Sequence, residues 1–351
     1  MLKPLPSVDL EYIFEQTAHV WQELKGNRIF ITGGTGFFGR WLLESFMWAN
    51  ENLKLNSQAV ILTRDISAFS KVCPHIVTYP HFSFIQGDIK NFVSPSGSFT
   101  HIIHAATDAS AKLNEENPID MLETIIQGTW HTLNFAESVR AKKFLLISSG
   151  AVYGKQPTDL SHIDEAYPGA PLIYDKQTAY AQGKRIAEHI AMQYALKNTL
   201  EIKIARCFAF VGPHLPLDQH FAIGNFIRDA LNGGPIRVKG DGTPLRSYLY
   251  AADLTIWLWN ILCHGKAIYP YNVGSADAIS ILELANLIAN LFSPKLEVQV
   301  AQSHLQNQLP ARYVPAVSRA QEELKLPVQI DLSNAIEKTF TWLCSSREVC
   351  I

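Results

Sequence analysis

Arg28-Ile29-Phe30-Ile31-Thr32-Gly33-Gly34-Thr35-Gly36-Phe37-Phe38-Gly39 is the stretch whose reading decides the fold. Its first five residues form a short apolar run of the kind that makes a buried strand. Glycines follow at Gly33, Gly36 and Gly39, and then Trp41, Leu42, Ser45, Phe46 and Ala49 recur at helical spacing. A strand that ends in a glycine-rich turn and opens a helix is a physical device for holding pyrophosphate. Glycine tolerates positive φ and lets the backbone approach the phosphate oxygens. The helix N-terminus adds free N–H groups and a partial positive charge. The spacing Gly33-x-x-Gly36-x-x-Gly39 differs from the commoner G-x-G-x-x-G turn.

Outward from this turn, apolar runs alternate with helical segments. Further strands are expected at 59–63, 82–85, 101–104, 143–148 and 200–205. Long helices are expected at 118–140, where Pro118 suits a first turn, and at 178–197. The alternation predicts an α/β fold: a Rossmann-type doubly wound parallel sheet, covered on both faces. After residue 206, loops with Gly212-Pro213, Gly233-Gly234-Pro235 and Gly240-Asp241-Gly242 separate short elements. They predict a smaller C-terminal substrate-binding lobe over the sheet's carboxyl edge, where ligands bind in such folds. The expected organisation is an N-terminal helical extension at 1–27, a dinucleotide-binding domain at 28–206, and a mainly substrate-binding lobe at 207–351. The chain is expected to recross to the first domain near 247–275. The extension reads as one amphipathic helix, 8–25, ended by Lys25-Gly26-Asn27.

Composition narrows the function classes. Of 351 residues, 47 % are hydrophobic and the net charge is −2, which favours neither nucleic acid nor an anionic membrane as partner. Ile256-Trp257-Leu258-Trp259-Asn260-Ile261-Leu262 is the most apolar run and is too short to span a bilayer. It reads as a core helix, and no secretory signal is visible at the start of the chain. Cys73, Cys207, Cys263, Cys344 and Cys350 are scattered, with no metal-ligand spacing. Free thiols, no metal site and a reducing, cytoplasmic setting are therefore expected.

Two further sites carry chemistry. The end of the second strand should meet the adenosine ribose, where an acid selects NAD and an arginine accommodates the 2′-phosphate of NADP. The chain offers Thr63-Arg64-Asp65. Arg64 tilts the choice toward NADP, and Asp65 keeps NAD open. Farther on, Tyr180-Ala181-Gln182-Gly183-Lys184 places a phenol and an ammonium one helical turn apart. The ammonium is expected to lower the phenol from about 10 toward neutrality. Such a tyrosine can move a proton to or from a sugar hydroxyl while hydride moves to or from the cofactor. Ser149 would donate a hydrogen bond to the same oxygen.

With these residues in place, the chain resembles an extended short-chain dehydrogenase/reductase of the nucleotide-sugar epimerase/dehydratase family. The carriers are Thr32 to Gly39, Gly87-Asp88-Ile89, His104-Ala105-Ala106, Ser148 to Gly154, Tyr180 to Lys184, Arg206 to Pro213 and Gly240 to Tyr248. The resemblance runs over nearly the whole chain from residue 28. It implies catalytic roles for Ser149, Tyr180 and Lys184. It implies that Gly33, Thr35, Gly36, Phe37, Phe38 and Gly39 hold the dinucleotide. Asp88 and Ile89 would flank the adenine and Ala105 and Ala106 line the centre of the cofactor, with Tyr180 and Lys184 at the nicotinamide end. Asn225, Val238 and Arg246 fall where relatives hold the sugar nucleotide, Arg246 on the diphosphate. The segments near 118–140 and 178–197 resemble those that form a dimer interface in the family, so a homodimer is expected. Trp130, Leu133, Phe135 and Ala136 could equally pack on the sheet.

The chain also departs from the pattern. Where 4,6-dehydratases of the family carry Thr-Asp-Glu, this sequence has Ser149-Gly150-Ala151. Glycine and alanine cannot transfer protons, so dehydration is disfavoured. Decarboxylation, which in relatives uses a glutamate at the alanine position, is disfavoured too. Ala209 and Val211 remove polar groups near the nicotinamide and sugar. His220 is either a sugar-hydroxyl contact or an ordinary loop histidine. The leading expectation is a C4 epimerase of a nucleotide sugar. One alternative is an NADPH-dependent ketoreductase of a nucleotide 4-keto-6-deoxy sugar. Another is a dinucleotide-binding sensor without catalysis.

Overall fold

The computed structural model describes residues 2–107, 111–197, 199–219, 221–303, 309–326 and 328–345. Strands form where the apolar runs stand: β1 Arg28–Thr32, β2 Gln58–Thr63, β3 Phe82–Gln86, β4 His101–His104, β5 Lys143–Ser149 and β6 Glu201–Cys207. A seventh, β7 (Pro270–Val273), comes from the later part of the chain and pairs with β6. The order across the sheet is β7-β6-β5-β4-β1-β2-β3. Every pairing is parallel. This is the doubly wound Rossmann-type sheet.

Parallel strands need crossover helices, so both faces of the sheet are covered. The pleat of β1 shows it. Ile29 and Ile31 belong to one apolar core, with Phe46, Trp257 and Trp259. Phe30 points the other way, into a core with Ile125, Leu133, Phe135 and Ala187. The helices Phe37–Leu53 and Ala251–His264 cover the first face, and Pro118–Ser138 and Ala179–Lys197 the second. Trp257, Leu258 and Trp259 are consecutive and all buried, as befits a helix enclosed on every side.

Strand order reverses between β1 and β4, and the chain leaves these neighbours toward opposite sides. A crevice opens beyond their carboxyl ends. The Gly33–Gly39 turn follows β1 and Ala105-Ala106-Thr107 follows β4, so both border it. After β6 come the Ala222–Leu231 helix, the Ile281–Ala289 helix and a small sheet ordered Ile279–Ser280, Leu245–Arg246, Arg312–Tyr313.

The extension is two helices, Ser7–Gln16 and Ala18–Leu24, where the sequence suggests one. Thr17 interrupts them. Its hydroxyl donates to the Ile13 carbonyl at 2.5 Å and its φ is −120°, a side-chain bond that competes with the helical ladder. The extension is fixed to the later helices by buried polar contacts. Asp9 accepts from Tyr250 at 2.6 Å and from Lys338 at 2.8 Å, and Tyr12 donates to Asp253 at 2.6 Å. Cys73, Cys207 and Cys263 are buried free thiols. Cys344 departs from the expectation, being disulfide-bonded. Cys350 and His220 lie outside the described residues.

Candidate active site

The phosphate turn is built from close backbone contacts. Gly33 has φ +73°, and a Cβ there would stand 2.5 Å from the Ala105 carbonyl carbon. A Cβ on Gly39 would stand 2.4 Å from the Gly33 oxygen. Only glycine permits this approach of turn, helix and β4 loop. The helix that follows Gly36 has no side-chain cap and no acid in its first turn. Its leading N–H groups are thus left for an anion, and the turn fits the pyrophosphate of a dinucleotide. Thr35, Phe37 and Phe38 are half-buried along it, with Phe38 edge-on to Phe210 at 5.1 Å.

At the adenosine end Thr63 is buried, whereas Arg64 and Asp65 are exposed. The Asp65 carboxylate caps a short helix by accepting from Ala68 N at 2.8 Å. Asp88 accepts from Lys90 N at 2.8 Å, and Ile89 packs on Gly128 of the Pro118–Ser138 helix. Ala105 N and Ala106 N both donate to Thr32, which fixes the loop after β4.

Ser149 ends β5, and Tyr180 and Lys184 lie one turn apart on the Ala179–Lys197 helix. A further turn along, Glu188 is clamped by Arg206 at 2.7 Å and by the Ser148 hydroxyl at 2.5 Å. The helix face Tyr180–Lys184–Glu188 is therefore anchored to β5 and β6. Tyr180 N donates to Asn114 Oδ1 at 2.8 Å. Lys184 is buried and donates to the Ile147 carbonyl at 2.8 Å and to Thr107 at 2.9 Å. Its ammonium lies 5.8 Å from the centroid of the Tyr180 ring.

The electrostatic balance differs from the sequence expectation. Burial pushes the Tyr180 phenol up to about 12, opposed by hydrogen bonding to Ser149. Burial also holds Lys184 down at about 8. Desolvation penalises both charged forms, and in this pocket it outweighs the attraction between them. His104, deep beneath the crevice, is held down at about 3 by burial and is a neutral link between Thr32 at 2.9 Å and Thr129 at 3.2 Å.

Of the substrate positions, Arg246 is half-buried and its Nη1 donates to the Leu245 carbonyl at 2.8 Å. Asn225 accepts from Arg228 at 3.0 Å, and Val238 is buried in the core. Sequence reading missed Tyr313. It pairs with Arg246 in the small sheet, and its ring lies 4.6 Å from that of Phe208, just past β6. Its hydroxyl stands 2.7 Å from where a Gly150 Cβ would be. Ser149 Oγ accepts from Ala151 N at 3.1 Å, and the serine works against the burial-driven rise of both phenols, Tyr180 and Tyr313.

Among the described residues, Glu23, His101 and Cys263 could together face a metal ion. The Lys143 ammonium is already 2.5 Å from Glu23 and donates to the Cys263 carbonyl. Burial keeps the Cys263 thiol protonated. The cluster is an internal ion pair at the amino ends of β4 and β5, the opposite edge of the sheet from the turn.

Residues 29–274 match the NAD dependent epimerase/dehydratase family, and the chain belongs to it. UDP-glucuronic acid decarboxylase 1 of Arabidopsis thaliana is 28 % identical over 312 residues, 89 % of this chain and 68 % of that protein. UDP-glucuronic acid decarboxylase 6 of the same plant is 28 % identical, over 88 % of this chain and 86 % of its own. Among solved structures, UDP-glucuronic acid 4-epimerase from Bacillus cereus, in complex with UDP-glucuronic acid and NAD, superposes with a TM-score of 0.76. It is 21 % identical, over 91 % of this chain and 99 % of that one. A dTDP-glucose 4,6-dehydratase from Bacillus anthracis, in complex with NAD, gives 0.74 at 19 % identity, over 92 % and 98 %.

Proposed function

We propose that the protein interconverts C4 epimers of a nucleotide sugar in the crevice between the glycine turn and Tyr180. The observation that carries this reading is the composition of the pocket around Tyr180. Ser149 and Lys184 would serve proton transfer at one sugar hydroxyl, and among the described residues the neighbours that shift Tyr180 are Ser149 and Cys207, neither of them a carboxylate. Gly150 and Ala151 supply no acid or base for expelling water. A bound oxidised nicotinamide would supply the hydride acceptor and a positive charge that offsets the raised phenol. Tyr180 would take the proton of the C4 hydroxyl and return it to the ketone oxygen, with Ser149 hydrogen-bonded to that oxygen. Lys184 would hold the ribose of the cofactor and favour the phenolate. Arg246 would engage the diphosphate, with Asn225 and Val238 beside the nucleotide.

Two other reactions have an observation behind them. The exposed Arg64 supports NADPH and hence the ketoreductase. The names of the plant relatives support decarboxylation, which requires a proton donor at C5 that Ala151 does not provide. Denaturing the purified protein and identifying the released nucleotide separates them. Released NAD fits the epimerase, because each turnover regenerates it. Empty protein that binds NADPH fits the reductase. Release of CO₂ from UDP-glucuronic acid would establish decarboxylation. Tyr180→Phe should abolish turnover and spare cofactor binding, and persistent activity would rule out this mechanism.

A cytoplasmic homodimer completes the reading. Leu133, Phe135 and Ala136 are buried, whereas Trp130 on the same helix is 53 % exposed. Ile119 and Ile186, on this helix and its neighbour, are exposed as well. A partner copy would cover them, and sedimentation of wild type against Trp130→Glu reads it.

A further inference from the structure

We propose that Thr107 is a positioning residue for Lys184: its hydroxyl, on the loop after β4, accepts from the Lys184 ammonium, fixes its place and keeps it charged inside the pocket. The inference rests on the reading of Tyr180 and Lys184 as the proton-transfer pair, and it adds to that pair a residue from the opposite wall of the crevice.

The Lys184 nitrogen is held from three directions. Its stem rises from the Ala179–Lys197 helix. Its ammonium donates to the Ile147 carbonyl of β5 at 2.8 Å and to Thr107 Oγ1 at 2.9 Å. β4 and β5 are adjacent parallel strands, so helix, strand and loop meet at this one atom. The loop that carries Thr107 is itself anchored, since Ala106 N donates to Thr32 Oγ1 at the end of β1, at 3.2 Å.

Proton counting gives the bond its direction. A hydroxyl has one proton to donate. That of Thr107 goes to the Ala106 carbonyl at 2.7 Å. The Thr107 oxygen therefore faces Lys184 as an acceptor. An ammonium has three N–H donors and no acceptor. Ile147 and Thr107 take two of them, which leaves one for the Tyr180 oxygen and the cofactor ribose.

The surroundings make those two oxygens matter. Lys184 is 4 % exposed, and its burial disfavours the ammonium. The titratable groups that face it, among the described residues, relieve this little. Glu188, one turn along the same helix, favours the ammonium but is already clamped by Arg206 and Ser148. Burial keeps the Cys207 thiol of β6 and the Tyr180 phenol protonated and neutral. His104 of β4 is held neutral as well. The charge of Lys184 is therefore sustained by its two oxygen acceptors, and Thr107 is the one supplied by a side chain. A hydrogen bond to the charged form favours that form.

The test is an NMR titration of Lys184 itself, in full-length protein labelled with carbon-13 at the lysine ε carbons. Wild type and variants are compared in the same nucleotide state, with no substrate present, and Lys184→Arg assigns the resonance. Thr107→Val keeps the shape of the side chain and removes the acceptor. It should move the Lys184 titration down by about one pH unit. Thr107→Ser keeps the acceptor and should leave the titration at the wild-type value. If the valine variant does not fold, Thr107→Ala is read in the same way. The proposal is overturned if loss of the hydroxyl leaves Lys184 unmoved, or if Thr107→Ser moves it as far as Thr107→Val. This readout needs no turnover, so it decides the matter even if every sugar nucleotide tried proves inert, which would count against the proposed reaction alone. With a turned-over substrate, the alkaline limb of kcat/KM should shift to lower pH in Thr107→Val by the same interval and return in Thr107→Ser. A uniform loss across pH, with the limb in place, would leave Thr107 with a packing role only.

Discussion

Gly39→Ala adds one methyl group to the first turn of the Phe37–Leu53 helix. On the present backbone that methyl lies 2.4 Å from the Gly33 oxygen and 2.4 Å from both the Cα and the carbonyl carbon of Gly34. All three are backbone atoms, so no rotamer change relieves the contact. Turn and helix must part by about 0.6 Å to reach even the 3.0 Å that real Cβ contacts respect. The leading N–H groups of the helix then withdraw from the phosphate position. A hydrogen bond to a charged group contributes about 1.5–3 kcal/mol, and the helix terminus up to about 2 kcal/mol in a partly buried site. Losing one such contact predicts NAD binding weakened roughly 10- to 100-fold. Titration calorimetry with NAD measures this, with Gly240→Ala as the control, since nothing lies within 4 Å of a Cβ there. A folded Gly39→Ala protein that binds NAD within twofold of wild type would refute the reasoning.

Other expectations concern charge and anchoring. Lys184 is held down at about 8, so kcat/KM should fall as pH rises through about 8 and the ammonium is lost; Lys184→Arg should remove that limb, because a guanidinium stays charged. Burial works to raise the Glu44 carboxyl, but the His214 and His75 rings, 3.6 and 3.3 Å from it, and a hydrogen bond from Leu5 N at 2.7 Å overcome it and hold it below its ordinary 4.5. A carboxyl depressed by folding stabilises the fold above its ordinary value and ceases to do so as pH falls through the folded value. Urea unfolding should therefore find Glu44→Gln less stable than wild type at neutral pH, with a gap that narrows on acidification below about pH 4.5. Asp9→Ala strips partners from the Tyr250 hydroxyl and Lys338 and should cost about 2–3 kcal/mol in the same assay, with hydride transfer unaffected.

The parts legible in the sequence were those whose physics is local. A buried parallel strand reads as an apolar run, so β1 to β6 stood out. The phosphate turn and the Tyr180–Lys184 spacing each lie within a few residues. Tyr313 was invisible because its strand, Arg312–Tyr313, is two residues long. Its place beside Gly150 arises only from pairing with Leu245–Arg246 and packing on Phe208, which are contacts across the fold. β7 falls within the 247–275 stretch where the chain is expected to recross, but the sequence does not single it out as a strand, for a related reason. Pro270-Tyr271-Asn272-Val273 is a short, mixed run that becomes a strand by lying against β6. The raised Tyr180 is the clearest divergence in chemistry. Adjacency of an ammonium could be read from i and i+4, but the cost of desolvating the phenolate depends on what the rest of the chain places around it.

The measurement that tests the account most directly follows a deuterium atom. UDP-glucuronic acid and UDP-glucose, each deuterated at C4, are incubated with the protein and its bound cofactor, and the products are examined by mass spectrometry and NMR. Hydride transfer out and back within one turnover predicts a C4-epimerised product that keeps its deuterium at C4, with no CO₂ released and no net oxidation of nicotinamide. A product that has lost the label, evolution of CO₂, or net consumption of a reduced nicotinamide would contradict it.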